Sequence, residues 1–160
     1  MVKVHITPED AELRVERAVQ LFKEGYNCSQ SVVGAFADLY GFTQEQALLM
    51  SASFGGGIGR MRQTCGAACG MFVLAGLQSG TTIGSDREGK SRNYAMVQQL
   101  AESFKQINGS IICAELLGLK SNAEITAQAS ERTDSYYKKR PCSEMVRTAA
   151  RLFANAISQD

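Results

Sequence analysis

Four cysteines lie far apart in the chain, and each falls in the first turn of a predicted helix. They are Cys28, Cys65, Cys113 and Cys142. The start of a helix presents unpaired N–H groups and a partial positive charge, and both favour a thiolate over a thiol. Because thiolates exchange disulfides and bind soft metals, this placement predicts redox or metal chemistry.

Neighbouring cations divide the four cysteines into two pairs. A helix terminus contributes only about 0.3–1 kcal/mol to a nearby charge, which is less than one pKa unit, so further positive charge is needed. Two arginines shortly precede Cys65, and Cys142 follows Pro141 and a run of three cations. We therefore expect Cys65 or Cys142 to be the attacking thiolate, while Cys28 and Cys113 fit better as resolving thiols or metal ligands.

The spacing of the cysteines leaves three functions open. No Cys-x-x-Cys occurs, so neither a thioredoxin-type motif nor a zinc ribbon is supported. Four dispersed thiolates that converge in a helical bundle could exchange disulfides, or could instead hold an iron–sulfur cluster or zinc. The third alternative is a non-catalytic accessory or interaction domain with structural cysteines. Cys69 lies one turn after Cys65 among apolar residues, and we expect it to fill the core.

The elements that must position these cysteines are predicted to be helices. Thr7 and Pro8 begin the first helix, a second runs from about Asn27 to Gly41, and residues 43–46 form a capping box for a third. Residues 65–77 are apolar nearly all round, which predicts a buried central helix. No segment alternates as a strand does. We predict an all-α fold, a single compact multi-helix bundle formed by one domain over residues 1–160.

Three further segments bear on how the predicted helices pack and connect. Gly66 and Gly70 lie four residues apart on the central helix, which predicts a flat strip that another helix backbone can approach closely. The glycine run at residues 55–59 is interpreted as a tight turn, with phosphate or cofactor binding as the alternative because Arg60 and Arg62 follow it. Residues 132–140 are interpreted as an exposed connection, after which Pro141 begins the last helix.

Composition narrows the class of protein. Hydrophobic residues make up 44% of the 160 residues, and 17 Lys and Arg face 16 Asp and Glu for a net charge of +1. This balance provides no positive surface for nucleic acid or an anionic membrane. The longest apolar run, residues 71–77, is far shorter than a membrane span, so no membrane insertion is expected. The N-terminal sequence has charges from Lys3 onward and no apolar h-region, so we expect no secretory signal and a cytoplasmic protein.

The motif at residues 65–70, Cys-Gly-Ala-Ala-Cys-Gly, matches Cys-Gly-Ala-x-x-Gly. With Cys28 upstream and Cys113 and Cys142 downstream, the chain resembles the C_GCAxxG_C_C family of redox-active proteins over roughly residues 20–145. The resemblance implies that these three cysteines and Cys65 match the four cysteines of the family.

The resemblance also implies partners and cofactors. Genes of the family tend to lie near transporter and oxidoreductase genes, which implies an oxidoreductase or a transporter-associated protein as redox partner. The family looks related to a domain of split-Soret cytochromes, which implies a cluster or electron-transfer role as an alternative. No haem is expected, because the chain has no Cys-x-x-Cys-His.

Overall fold

The computed structural model describes residues 3–158, so residues 1–2 and 159–160 of the predicted domain lie outside it. Eight α-helices follow one another within the described residues, and two short 3-10 turns, Ala37–Tyr40 and Ala52–Phe54, flank the third helix. The described part has no β-strand and only two isolated bridges, which confirms the predicted all-α bundle. The helices are α1 (Pro8–Lys23), α2 (Cys28–Gly34), α3 (Gln44–Ser51), α4 (Gly66–Ser79), α5 (Arg87–Asn108), α6 (Cys113–Leu116), α7 (Asp134–Lys139) and α8 (Cys142–Ile157).

Side-chain caps fix where the first three helices begin. The Thr7 hydroxyl accepts from the backbone of Asp10, with Pro8 as the first helical residue. Reciprocal capping boxes join Asn27 to Gln30 at α2 and Thr43 to Gln46 at α3. Each cap contributes about 1 kcal/mol and fixes a helix start to one residue. The caps predicted at Thr7, Asn27 and Thr43 are thereby confirmed.

Helix α4 lies at the centre of the bundle and contacts α2, α5 and α8. Ala67, Ala68 and Met71 on this helix are fully buried, which confirms the predicted central helix. Gly70 lies against α2, because a Cβ added there would stand 3.0 Å from the Ser29 carbonyl oxygen. A larger residue at position 70 would therefore require α2 to shift by a few tenths of an ångström.

Two predicted elements differ from the structure. The helix expected from residue 27 to Gly41 ends at Gly34, because Gly34 is a weak helix former and the backbone turns at Phe36 into a 3-10 segment. This turn lets the Phe36 ring pack edge-on against Phe153, with 5.2 Å between centroids. The interpretation of residues 132–140 as a connection without a helix is wrong, because six of them form α7, although none of these six is buried.

None of the helices in the described range 3–158 combines the length and the apolar composition needed to cross a membrane.

Candidate functional site

The four cysteines each stand at the start of a different helix. Cys28, Cys113 and Cys142 are the first residues of α2, α6 and α8, and Cys65 is the N-cap of α4. The predicted placement is confirmed. All four line a single cavity of about 450 Å³, which we call the cysteine cavity. Residues separated by more than 100 positions therefore share one site.

A short antiparallel bridge places Cys65 beside Cys113. Thr64 pairs with Ile112, so that the backbone N–H of Cys65 donates to the Ile111 carbonyl at 2.6 Å. In return, the N–H of Cys113 donates to the Gln63 carbonyl at 2.7 Å. This pairing fixes the N-termini of α4 and α6 side by side.

Two glycines make room for the cysteines. A Cβ at position 66 would stand 2.5 Å from Cys28 Sγ and 2.6 Å from the Phe54 carbonyl oxygen, so only glycine fits there. A Cβ at Gly57 would stand 2.6 Å from the Cβ of Cys113. The Gly66 of the sequence motif thus has a direct role, because it lets the sulfur of Cys28 lie against the start of α4.

The segment that precedes Cys65 winds with a left-handed backbone. Ile58, Arg60 and Arg62 have φ angles of 64°, 59° and 61°. The φ angles of Gly56, Gly57 and Gly59 are positive as well. A left-handed conformation costs roughly 1–2 kcal/mol per residue with a side chain. Hydrogen bonds within the segment offset this cost, such as the one from Arg62 N–H to the Gly56 carbonyl at 3.2 Å. The glycine run is therefore a tight turn, as interpreted from the sequence, and it brings two arginines to the cavity wall.

A third arginine is fixed among aromatic rings. The guanidinium carbon of Arg132 lies 4.5 Å from the ring centroid of Phe22 and 4.8 Å from that of Tyr136. Its nitrogens donate to the carbonyls of Phe22 at 3.1 Å and Tyr26 at 2.9 Å. Arg132 thereby ties α7 to α1 at the edge of the cavity. Arg140 follows α7, 5.0 Å from the centroid of Tyr136, and also lines the cavity.

Burial governs the acidity of three of the cavity thiols. Burial raises the pKa of Cys28 above its usual value, although the backbone N–H of Gly56 opposes the shift. Burial also raises the pKa of Cys65, and a negative charge on Cys28 adds to that effect. The N–H groups at the start of α4 lower the pKa of Cys65, but they do not outweigh burial.

Cys142 is only partly buried, yet burial followed by charge on Cys28 raises its pKa to about 11, against the effect of Arg140. Neighbouring cations were expected to make Cys65 or Cys142 the thiolate. Burial opposes ionisation at both positions, and at Cys142 it outweighs the charge of Arg140.

Cys113 has a different environment from the other three. A guanidinium nitrogen of Arg62 donates to Cys113 Sγ over 3.8 Å, a normal length for a bond to sulfur. Arg62 reaches the sulfur because its left-handed backbone lies beside the bridge that fixes Cys113. Cys113 is thus the cavity cysteine whose sulfur accepts a hydrogen bond from a guanidinium group in the described structure.

Cys69 is buried outside the lining of the cysteine cavity. Its S–H donates to the Thr64 carbonyl over 3.7 Å, and burial raises its pKa to about 11. These contacts agree with the packing role expected for it.

Metal binding, the alternative predicted from the sequence, requires several donor side chains directed at one centre. Within residues 3–158, no three Cys, His, Asp or Glu side chains are arranged to hold one metal ion. All five cysteines are free thiols. The cavity residues as they stand therefore do not fit zinc or an iron–sulfur cluster, which needs several thiolates directed at one centre.

Sequence reasoning missed the contribution of residues 132–140. Arg132, Tyr136, Arg140 and Pro141 line the cavity beside Cys142. The alternation of arginines and tyrosines there was the available signal, because guanidinium groups stack on aromatic rings.

Comparison with known proteins agrees with this description. Residues 26–156 match the model of a family described as "Putative redox-active protein (C_GCAxxG_C_C)". A protein of Archaeoglobus fulgidus, described only as uncharacterized, is 27% identical over 158 residues, which cover 93% of this chain and 96% of that protein. No solved structure matches the chain.

Proposed function

Because the chain belongs to the C_GCAxxG_C_C family of redox-active proteins, we propose that the cysteine cavity carries out thiol–disulfide exchange. The observation that carries this proposal is the meeting of four cysteines from four helix starts in one cavity. Thiols brought together from distant parts of a chain can cycle between dithiol and disulfide without unfolding it.

In the proposed exchange, Cys113 attacks and Cys28 resolves. Cys113 is assigned the attack because its sulfur accepts a hydrogen bond from Arg62. Cys28 is assigned the second step because its Sγ lies against the start of α4, which the bridge holds beside Cys113. Cys65 and Cys142 take no part in this step. Burial raises the pKa of Cys28 as it raises theirs, so the position of Cys28 and not its acidity selects it.

The exchange balances with a disulfide substrate. The thiolate of Cys113 attacks one substrate sulfur, which forms a mixed disulfide and releases the first substrate thiolate, which takes up a proton. Cys28 then loses its proton and attacks Cys113 Sγ, and the second substrate thiol leaves. The protein loses two electrons and the substrate disulfide gains them. A dithiol reductant restores the protein by the reverse exchange.

We also propose the cytoplasm as the compartment. Five free cysteines support a reducing environment, because glutathione and thioredoxin keep thiols reduced there.

The test uses hydroxyethyl disulfide, an uncharged reagent, with thiol counting and mass spectrometry. The wild-type protein is expected to lose two thiols reversibly. Cys28→Ser is expected to trap a mixed disulfide at Cys113, because no resolving thiol remains, whereas Cys113→Ser forms neither adduct nor disulfide.

The matched control is Cys69→Ser, which replaces a buried cysteine outside the cavity lining and keeps a donor for Thr64. It is expected to behave as the wild type, and far-ultraviolet circular dichroism verifies that each variant is folded. Equal trapping in the Cys28 and Cys113 variants, or no reversible loss of thiols, would contradict the proposal.

A further inference from the structure

The charged side chains that line the cysteine cavity are all positive within the described residues. Four arginines line it together with the cysteines, and no carboxylate of residues 3–158 does. A cleft lined by one sign of charge, with walls of low dielectric constant, concentrates ions of the opposite sign. The four are Arg60, Arg62, Arg132 and Arg140.

The arginines outside the cavity differ from these four in their ion pairs. Five of the six outside the cavity form ion pairs with Asp or Glu, and the sixth is exposed. None of the four in the cavity has such a pair in the described range. Half-buried cations without a carboxylate partner are costly, so their concentration at one site indicates a ligand of opposite charge. The five paired arginines are Arg14, Arg17, Arg92, Arg147 and Arg151.

Neutral partners fix two of the four guanidinium groups. Arg60 donates to the Thr126 carbonyl at 3.1 Å and to Ser130 Oγ at 3.2 Å, and Arg132 donates to carbonyls of α1 and the turn after it. Carbonyl and hydroxyl groups hold these side chains in place without neutralising them. Their positive charges therefore remain in the cavity.

Arg62 and Arg140 have donors left for a ligand. The hydrogen bond of the Arg62 side chain goes to Cys113 Sγ, and Arg140 is held against the Tyr136 ring. After burial, the charges of Arg62 and Arg140 lower the pKa of Arg60, so both of them repel Arg60. A bound anion would relieve this repulsion.

We propose that the cysteine cavity binds a small disulfide that carries anionic groups such as carboxylates, held by Arg62 and Arg140 while Cys113 attacks its sulfur. This inference names the substrate class and rests on the function proposed above. A cavity of about 450 Å³ accepts a molecule of this size. Planar guanidinium groups bind carboxylates through two parallel hydrogen bonds, which also orients the disulfide.

The bonds that form and break are those of the exchange described above. The Cys113–substrate bond forms as the substrate disulfide breaks, and the first anionic thiolate leaves with a proton from water. The Cys28–Cys113 bond then releases the second anionic thiol. The arginines take no part in electron transfer and act by binding and orientation.

The test compares three symmetrical disulfides of similar size and different charge. Dithiodipropionate is a dianion, hydroxyethyl disulfide is neutral and cystamine is a dication. The rate of a single oxidation of the reduced protein is expected to fall in that order, with about tenfold or more between the dianion and the dication. The difference is expected to shrink as salt is added.

Two cavity variants and one matched control test which arginines cause the preference for the dianionic disulfide. Arg140→Gln and Arg62→Gln are each expected to reduce the ratio of the dianion rate to the neutral rate severalfold. Arg87→Gln removes an exposed arginine outside the cavity and is expected to leave all three rates unchanged. An undiminished preference in both cavity variants would overturn the assignment of the anion to these two arginines.

The design separates failure of this inference from failure of the proposed function. Equal rates with all three disulfides would overturn the anionic substrate and leave the thiol–disulfide exchange standing. Absence of oxidation by any of them would overturn the exchange. Calorimetry with thiodipropionate, a dianion that has no disulfide, then tests the anion site by itself, and binding that is lost in Arg140→Gln supports it while no binding overturns it.

Discussion

Replacement of Gly66 by alanine is expected to destabilise the protein and to displace the thiol of Cys28. The new Cβ would stand 2.5 Å from Cys28 Sγ and 2.6 Å from the carbonyl oxygen of Phe54, whereas ordinary contact begins at 3.4 Å. The start of α4 and the wall of the cavity must therefore separate by about 1 Å. Overpacking of this kind costs about 1–3 kcal/mol. The higher helix propensity of alanine offsets less than about 1 kcal/mol of this destabilisation.

Gly76→Ala is the matched control, because Gly76 lies on the same helix and a Cβ there meets nothing within 4 Å. It is expected to raise the free energy of unfolding by about 0.5–1 kcal/mol. Urea denaturation measures both variants, and oxidation by hydroxyethyl disulfide measures the effect on Cys28. If Gly66→Ala were as stable as the wild type and oxidised at the same rate, the close approach of Cys28 to α4 would be refuted.

Three other perturbations test separate features. Ile58→Gly is expected to be more stable than Ile58→Ala by about 1 kcal/mol in urea denaturation, because only glycine relieves the left-handed φ of 64°, and the reverse order would refute the strain. Arg60→Gln is expected to loosen the loop that its hydrogen bonds hold and to speed alkylation of Cys142 by iodoacetamide severalfold; an equal effect of Arg87→Gln would refute this. Raising the pH from about 9 to about 11 is expected to lower the free energy of unfolding of the reduced protein. Cys69 and Cys142, with pKa values of about 11, stay protonated in the fold and ionise in the unfolded chain, which then binds fewer protons. Cys142→Ser is expected to remove up to about 1.4 kcal/mol per pH unit of this slope, and an unchanged slope would contradict the raised pKa.

Local sequence signals were sufficient to predict where α1, α2 and α3 begin. The caps at Asn27 and Thr43 depend on residues three positions apart, so they are visible without knowledge of the fold. The glycine spacing on α4 predicted the close approach of a neighbouring helix, which the contact of Gly70 with Ser29 confirms. The placement of Cys28 at the start of α2 followed from the cap at Asn27, whereas no side-chain cap marks the helix starts at the other three cavity cysteines.

The wall of the cavity could not be predicted in this way. Arg60 and Arg62 adopt a backbone that their own type disfavours, so no local pattern indicates it. Helix α7 has six residues, too few for a periodic pattern, and it depends on contacts of Arg132 and Tyr137 with α1. The burial of Cys65, which raises its pKa, could not be predicted locally either, because it depends on how the helices pack.

The arginines and the cysteines of the cavity have complementary roles in this account. Arg62 links the two groups of residues, because its side chain contacts Cys113 Sγ while its charge remains available to a ligand. The strained backbone at Arg62 persists because the bridge and the turn around it define its position. Strain at this residue thereby serves to hold a cation against a thiol.

The most direct test of the central claim is a map of the disulfide that forms when the native protein is titrated against dithiol and disulfide buffers. Peptide mass spectrometry at each potential identifies the cysteines that are joined. The account predicts one reversible disulfide, between Cys28 and Cys113, while Cys69 remains a thiol throughout. Failure of the cavity cysteines to form any reversible disulfide, or a bond that joins Cys69 instead, would contradict it.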